Sequence, residues 1–551
     1  MEETLIAPPD AIHENDDVEK SVGLPAVFAR AAELNYRFRW IILIALILAS
    51  IMEILDTTIV NVALTQMAGN LGATTEEIAW VATGYILANV IVLPMTAFFT
   101  AILGRRNYLT GSILLFTVAS LMCGNSHSLS EIIVWRILQG AGGAALLSTA
   151  QATLVQVFPP AEQAIVQPAF LLGIVVAPTL GPTLGGFITD AASWNWCFFI
   201  NIPIGLIAAA LVMLFLHDTE PARPDAPVDY LGMGLMTVGL GGLQYVLEEG
   251  EPHDWFSDPT VLRVGIIAGI CLVWMIFWLL SPRNKHPVIN LRVLHNGALT
   301  VGIVLFVAVG LGLYGVNYLY PVLAQTIQGL TPTQAGLSLL PGGLATAVSI
   351  VFCGVLSSNP NSKIDPRGLT FFGLALSALA VGMLARLSPQ SSTPDTYWPL
   401  LLRGLSLGFQ MVPINYLAIG SLAPNEVQEG ASLLALARQL GGSLGTALLA
   451  TYFDQQVHVG RAHLVANINA DNPIYTQQLA EIAHVFVAHG YGLAAAQQSA
   501  LALIDQRLMA QAAMLSYDQC FGLLLAVTLA TVPLIVLLRR PKGGTAPAAM
   551  H

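Results

Sequence analysis

Five ionisable residues interrupt long apolar runs of the sequence: Glu53 and Asp56 in the first run, then Arg136, Arg403 and Arg438. Charge in such surroundings is costly, so each is a candidate for function. Glu53 and Asp56 are three residues apart and share one face of a helix. At a rise of 1.5 Å per residue, Asp56 lies about 24 Å and Glu53 about 20 Å along the run from Trp40. Arg136 enters from the other side and sits about 9 Å below that edge of a ~30 Å apolar layer, so the three share a level. Two carboxylates and a guanidinium at one depth can bind and release a proton. Burial and mutual repulsion favour the neutral acid, and a nearby arginine favours the ionised one. The alternative is a static buried ion pair that only fixes helix packing.

The elements that must hold these groups follow from composition. The chain has 551 residues, 55% hydrophobic and 10% charged, with a net charge of −11. Soluble domains carry roughly 25% charge, so a large soluble enzyme is excluded, and a disordered chain needs the opposite composition. The acidic balance argues against nucleic-acid binding. Runs of about 20 apolar residues suffice to cross a bilayer, and fourteen are expected: 40–66, 78–101, 108–124, 131–156, 164–189, 198–216, 231–248, 260–281, 297–323, 335–357, 369–387, 398–422, 430–453 and 517–538. With the N-terminus inside, 15 Lys and Arg fall on cytoplasmic segments and 4 at or near the outer side. That bias places both termini in the cytoplasm. Residues 1–39 are polar and acidic and do not resemble a cleavable export signal. The chain has no Gly-Lys pair and no HExxH, so neither a P-loop nor a zinc-peptidase motif is present. Five scattered cysteines and 11 histidines match no metal signature, and no metal or cofactor is expected. Energy must come from an ion gradient, here protons.

Two clusters of small residues stand out. Arg136, Gln139, Gly140, Gly142 and Gly143 share the fourth run, and Gly173, Pro178, Gly181, Pro182, Gly185 and Gly186 the fifth. Small residues let helices approach closely, and this can serve plain packing or a gate. LDTTIVNVAL (55–64), WRILQGAGGA (135–144), GIVVAPTLGPTLGG (173–186) and WNWCFFINIPIG (194–205) together resemble the motifs of fourteen-span drug:proton antiporters of the major facilitator superfamily. The likeness is to the EmrB/QacA branch, and most to its EmrB side. The resemblance implies an all-α integral membrane protein, two six-helix bundles plus two extra helices, with Asp56 as the essential acid. It implies a gate built on Gly173, Pro178, Gly181, Pro182, Gly185 and Gly186. Arg105 and Arg106 would be the basic pair of the cytoplasmic motif. That motif departs from the pattern: Ala97 and Ala101 stand where the family has Gly and Asp, so the usual charge latch cannot use residue 101.

The expected organisation is a cytoplasmic tail (1–39), an N-terminal bundle (40–216), two linker spans with their connections (217–296), a C-terminal bundle (297–538) and a cytoplasmic tail (539–551). A periplasmic segment (454–516) is inserted in the second bundle. In that segment Leu479, Ile482, Ala483 and Phe486 follow helical spacing, as do Leu501, Ile504 and Leu508. Two short amphipathic helices are expected there, lying on the transporter or the membrane surface, or docking a partner. On the EmrB side of the family the partner implied is an EmrA-like periplasmic adaptor and through it a TolC-like outer-membrane channel. By the same resemblance the cavity is lined by spans 1, 4, 9 and 12, with Asn61, Gln139, Tyr314, Asn317, Tyr318, Gln410, Asn415 and Arg403 as candidates. Aromatics and amides suit amphipathic, largely apolar ligands, although ordinary packing explains single residues equally well. The function expected is proton-coupled efflux of hydrophobic drugs across a bacterial inner membrane. The alternatives are a dedicated exporter of one physiological compound, a fatty acid or a siderophore, and, last, a non-transport membrane sensor.

Overall fold

The computed structural model describes residues 23–219, 221, 227–358, 365–388, 390–423, 426–465 and 472–538. Most of the expected tails, residues 1–22 and 539–551, lies outside them. Among the described residues there is no strand. A helix meets its backbone hydrogen bonds within one segment, which apolar surroundings demand.

The helices are α1 (Gly23–Arg37), α2 (Arg39–Leu71), α3 (Thr75–Val92), α4 (Thr96–Leu103), α5 (Arg105–Gly124), α6 (Leu129–Val157), α7 (Pro160–Ala191), α8 (Trp196–Phe199) and α9 (Asn201–Phe215). Two follow between the halves, α10 (Tyr230–Glu249) and α11 (Pro259–Leu280). The rest are α12 (Gly297–Thr326), α13 (Pro332–Ser338), α14 (Leu340–Ser358), α15 (Pro366–Leu384), α16 (Thr393–Ile419), α17 (Val427–Val465), α18 (Pro473–Ala488) and α19 (Leu493–Leu537). Polar side chains set the entries. Thr74 and Glu77 form a capping box on α3, Asp258 accepts from Thr260 and Val261 on α11, and Asn296 accepts from Ala298 and Leu299 on α12.

Twelve helices among the described residues are long and apolar enough to cross a membrane. The two remaining expected spans are α7 and α16, of 32 and 27 residues. In α16, Asp395, Arg403, Gln410 and Asn415 dilute the apolar character, and in α7 only Ile165–Ile174 stands out as an apolar stretch.

In the first half, α2 packs on α7 and α9, and α6 on α3 and α5; in the second, α12 packs on α17, and α16 on α14 and α15. Glycine sets both arrangements. A Cβ on Gly181 would strike the Thr58 side chain, and one on Gly185 would lie 2.8 Å from the Ile59 carbonyl, so α7 lies directly on α2. In the other half, a Cβ on Gly310 or Gly441 would meet the backbone carbonyl of Arg438 or Val307. At the face carrying Arg105 and Arg106 the halves touch. Thr96 and Ser432 hydroxyls are 2.7 Å apart, the Gln428 amide donates to Thr149 at 3.2 Å, and Gly354 admits Pro168. Toward the opposite face α10 ties to the second half, where the Gln244 amide donates to Ser443 (2.7 Å). The neighbouring Trp255 indole donates to Thr451 (2.8 Å).

Two elements differ from expectation. Residues 23–37, expected as part of a tail, form α1, held where Asn35 exchanges two 2.8 Å hydrogen bonds with the His217 backbone. Of the two short helices expected in 454–516, the first is α18. The second is the start of α19, a continuous helix of 45 residues, while α17 runs for 39 residues to Val465. At 1.5 Å per residue these are about 68 and 58 Å long, well beyond a ~30 Å hydrocarbon core. Both therefore project past it, and α18 packs on α19.

Candidate functional site

Asp56 and Arg136 meet in the interior of the first half. Their side chains are 0% and 1% exposed, and Arg136 Nη1 lies 2.5 Å from Asp56 Oδ2. Two amides donate to the other carboxylate oxygen at 2.9 Å each: Gln139 Nε2 and Asn201 Nδ2. Arg136 also donates to the Val81 carbonyl (2.8 Å) and to Gln139 Oε1 (2.9 Å), and its guanidinium lies over the Tyr85 ring at 4.3 Å. Asn201 donates further to Ser120 at 3.1 Å. The acid is thus met by three donors, one of them a guanidinium. Gly140 makes this possible, because a Cβ there would strike the Tyr85 carbonyl and push α6 off α3.

Glu53 is buried at 8% exposure but poorly served. One oxygen accepts a long 3.4 Å bond from Asn89, and the other is buried with no hydrogen-bond partner. The two acids therefore share a helix face and differ in solvation: Asp56 is locked and Glu53 is not.

The expected cavity residues divide. Gln139 belongs to the Asp56 network. Arg403 is 8% exposed and donates to Asn317 Oδ1 (3.2 Å) and the Leu313 carbonyl (2.7 Å). With Gln410 it lines a cavity of about 30 Å³ inside the second half. Gln410 donates to the Gly373 carbonyl at 3.3 Å, and Asn415 keeps a buried, unpartnered oxygen. Tyr314 and Tyr318 are exposed, as are Asn317 and Asn61, and Asn61 is not among the hydrogen-bond partners of Asp56 and Arg136.

The residues expected at the gate are found as packing contacts of α7 on α2: Gly181 and Gly185 as above, with Gly173 against Ile47 and Gly186 near Val62. Pro178 and Pro182 lie on α7, but their side chains fall outside the described residues. At the basic motif, Arg105 donates to Gln156, and Arg106 Nη2 donates to the Met213 carbonyl at 2.6 Å. An acid does stand at this motif: Asp218 accepts from the Arg106 backbone N–H at 3.0 Å and lies against Gly104 (φ +79°). A carboxylate at the start of α5 suits the helix dipole. Sequence reading missed Asn201, Tyr85, Asn89 and Asp218. The motif around Asn201 stands out in the sequence, but nothing there ties that amide to Asp56.

The sequence comparisons define the class. Residues 46–446 match the model of the Major Facilitator Superfamily, and the chain belongs to that family of membrane transporters; it is not an enzyme. Its relatives include the multidrug export protein EmrB of Escherichia coli K12 (29% identical, covering 91% of this chain and 96% of that protein). The fatty acid resistance protein FarB of Neisseria gonorrhoeae is 31% identical over 92% of this chain and 97% of its own. The colistin resistance protein EmrB of Acinetobacter baumannii is 29% identical over 93% and 99%. The crystal structure of the human organic anion transporter MFSD10 shares the fold, with a TM-score of 0.53, 14% identity and coverage of 91% of this chain and 99% of that one.

Proposed function

We propose that this transporter exports hydrophobic and amphipathic drugs across a bacterial inner membrane in exchange for protons. It would do so through fourteen spans with both termini in the cytoplasm. The observation that supports the reading best is the pair of buried acids on one face of α2, one locked to Arg136 and one with an unpartnered oxygen. Packing alone accounts for an acid paired with Arg136 but not for a second, poorly bonded acid beside it. The relatives named for multidrug export and for colistin resistance favour drugs as substrates. FarB, named for fatty acid resistance, favours a second reading, a dedicated exporter of one physiological compound such as a fatty acid. Under either reading the protein is the inner-membrane part of a tripartite pump, with α18 and the projecting ends of α17 and α19 meeting a periplasmic adaptor.

The test uses purified protein in liposomes. Under an imposed proton gradient, ethidium export that collapses with a protonophore supports the reading, and export indifferent to the gradient refutes it. Deleting residues 458–512 should abolish co-purification with the adaptor; unchanged co-purification ends the docking proposal.

A further inference from the structure

Arg136 keeps its charge throughout the exchange proposed above, whereas Asp56, its counter-ion, loses its charge whenever it takes up a proton. A guanidinium that is 1% exposed then stands as a buried cation without a partner charge, the costly outcome of breaking a buried pair. What remains beside it is set largely by α3. Val81 and Tyr85, one turn apart on that helix, meet one face of α6, where Arg136, Gly140 and Gly143 follow at helical spacing. The Val81 carbonyl accepts from Arg136 Nε at 2.8 Å, and the guanidinium lies 4.3 Å from the centre of the Tyr85 ring. Phe198 of α8 presents a second, more distant ring at 5.7 Å. Both glycines seat the tyrosine: a Cβ on Gly140 would strike the Tyr85 carbonyl, and one on Gly143 would lie 2.6 Å from its hydroxyl oxygen. The Tyr85 side chain is 1% exposed and stands edge-on to the Phe116 ring of α5. Glu53 of α2, Cys123 of α5 and Cys197 of α8 also face Asp56. Among the described residues none of these three hydrogen-bonds Arg136.

We propose that Tyr85 is a positioning residue whose ring face holds the Arg136 guanidinium in place while Asp56 carries its proton, so that the acid is neutralised without the arginine leaving the site. An aromatic face attracts a cation through its quadrupole, and the attraction grows where water is excluded. The ring takes up no proton itself, so its hold is the same before and after Asp56 changes charge. The proton passes to the Asp56 carboxylate from water in the cleft and returns there, and only that O–H bond is formed and broken. Gly140 and Gly143 then serve the site directly, because a side chain at either position would unseat the ring. This rests on the proton-exchange reading above and adds to it the residue that makes the neutral state of the acid tolerable.

The experiment compares Tyr85→Phe, Tyr85→Leu and a ring-fluorinated phenylalanine placed at position 85 of the full-length protein. Fluorine withdraws electron density from the ring face at nearly constant shape, so it separates attraction from packing. Gradient-driven ethidium export in liposomes should survive in Tyr85→Phe, fall about tenfold with the fluorinated ring, and fall at least as far in Tyr85→Leu. Thermal unfolding of the same proteins, with and without Asp56→Asn, reads the hold on Arg136 without need of transport. Exchanging the Phe ring for the fluorinated one should lower the melting temperature more in the Asp56→Asn background than in the native one. Should Tyr85→Leu fail to fold, the two ring variants still answer the question. Equal export by the two rings, loss of export in Tyr85→Phe, or an equal fall in melting temperature in both backgrounds overturns the inference while leaving proton-coupled export standing. A native protein whose export ignores the gradient overturns both.

Discussion

Arg136 and Arg403 sit at the same offset in corresponding spans of the two halves, and their partners differ. Arg136 meets the Asp56 carboxylate at 2.5 Å; Arg403 meets the Asn317 amide oxygen at 3.2 Å and backbone carbonyls. In both halves the arginine bridges to the first helix of its half, α2 or α12. The same bridge thus carries a carboxylate in one half and a neutral amide in the other. The difference teaches that one architecture has been used twice, with the buried acid kept on one side.

The largest effect expected follows from erasing that difference in the first half. Asp56→Asn should insert and fold, yet gradient-driven ethidium efflux should fall to the leak rate; full transport at matched expression would remove Asp56 from the mechanism. Next come the glycines. Gly310→Ala drives a methyl into the Arg438 backbone carbonyl, whereas Gly181→Ala meets chiefly the Thr58 side chain, with its Cβ at 2.7 Å and the nearest backbone atom, Ile59 N, at 3.3 Å. Overpacking typically costs about 1–3 kcal/mol. Gly310→Ala should lie at the upper end and Gly181→Ala at the lower, read from thermal unfolding in detergent; the reverse order would break the packing comparison. Asn317→Asp builds the first half's chemistry into the second. Charged hydrogen bonds exceed neutral ones by about 1 kcal/mol, so this variant should melt a few degrees higher; a lower melting temperature would show that Arg403 does not accept an acid. The smallest effect belongs to Thr96→Val. Losing the 2.7 Å contact with Ser432 should cost about 1 kcal/mol and speed maleimide labelling of a cysteine at position 153 several-fold.

What the sequence disclosed followed from burial and periodicity. Apolar runs gave the helices, and charges inside them gave Asp56, Glu53, Arg136 and Arg403, because such residues are too costly to be incidental. Neutral partners carry no such signal. Asn201 and Asn89 are ordinary residues in apolar helices until the fold sets them against an acid. Asp218 reaches the basic motif from more than a hundred residues away, a distance that local pattern reading does not cross. The projecting start of α19 reads as a separate short helix, and the projecting end of α17 as loop, because polar residues there break the apolar pattern without breaking the helix.

The central claim is that substrate and proton movements are one process at the acids of α2. Its most direct test imposes an outward ethidium gradient on liposomes holding the protein, with no initial pH difference, and follows the pH inside. Outward substrate flow should draw protons inward with the native protein and not with Asp56→Asn. Substrate flow without proton movement in the native protein, or identical proton movement in Asp56→Asn, would contradict it.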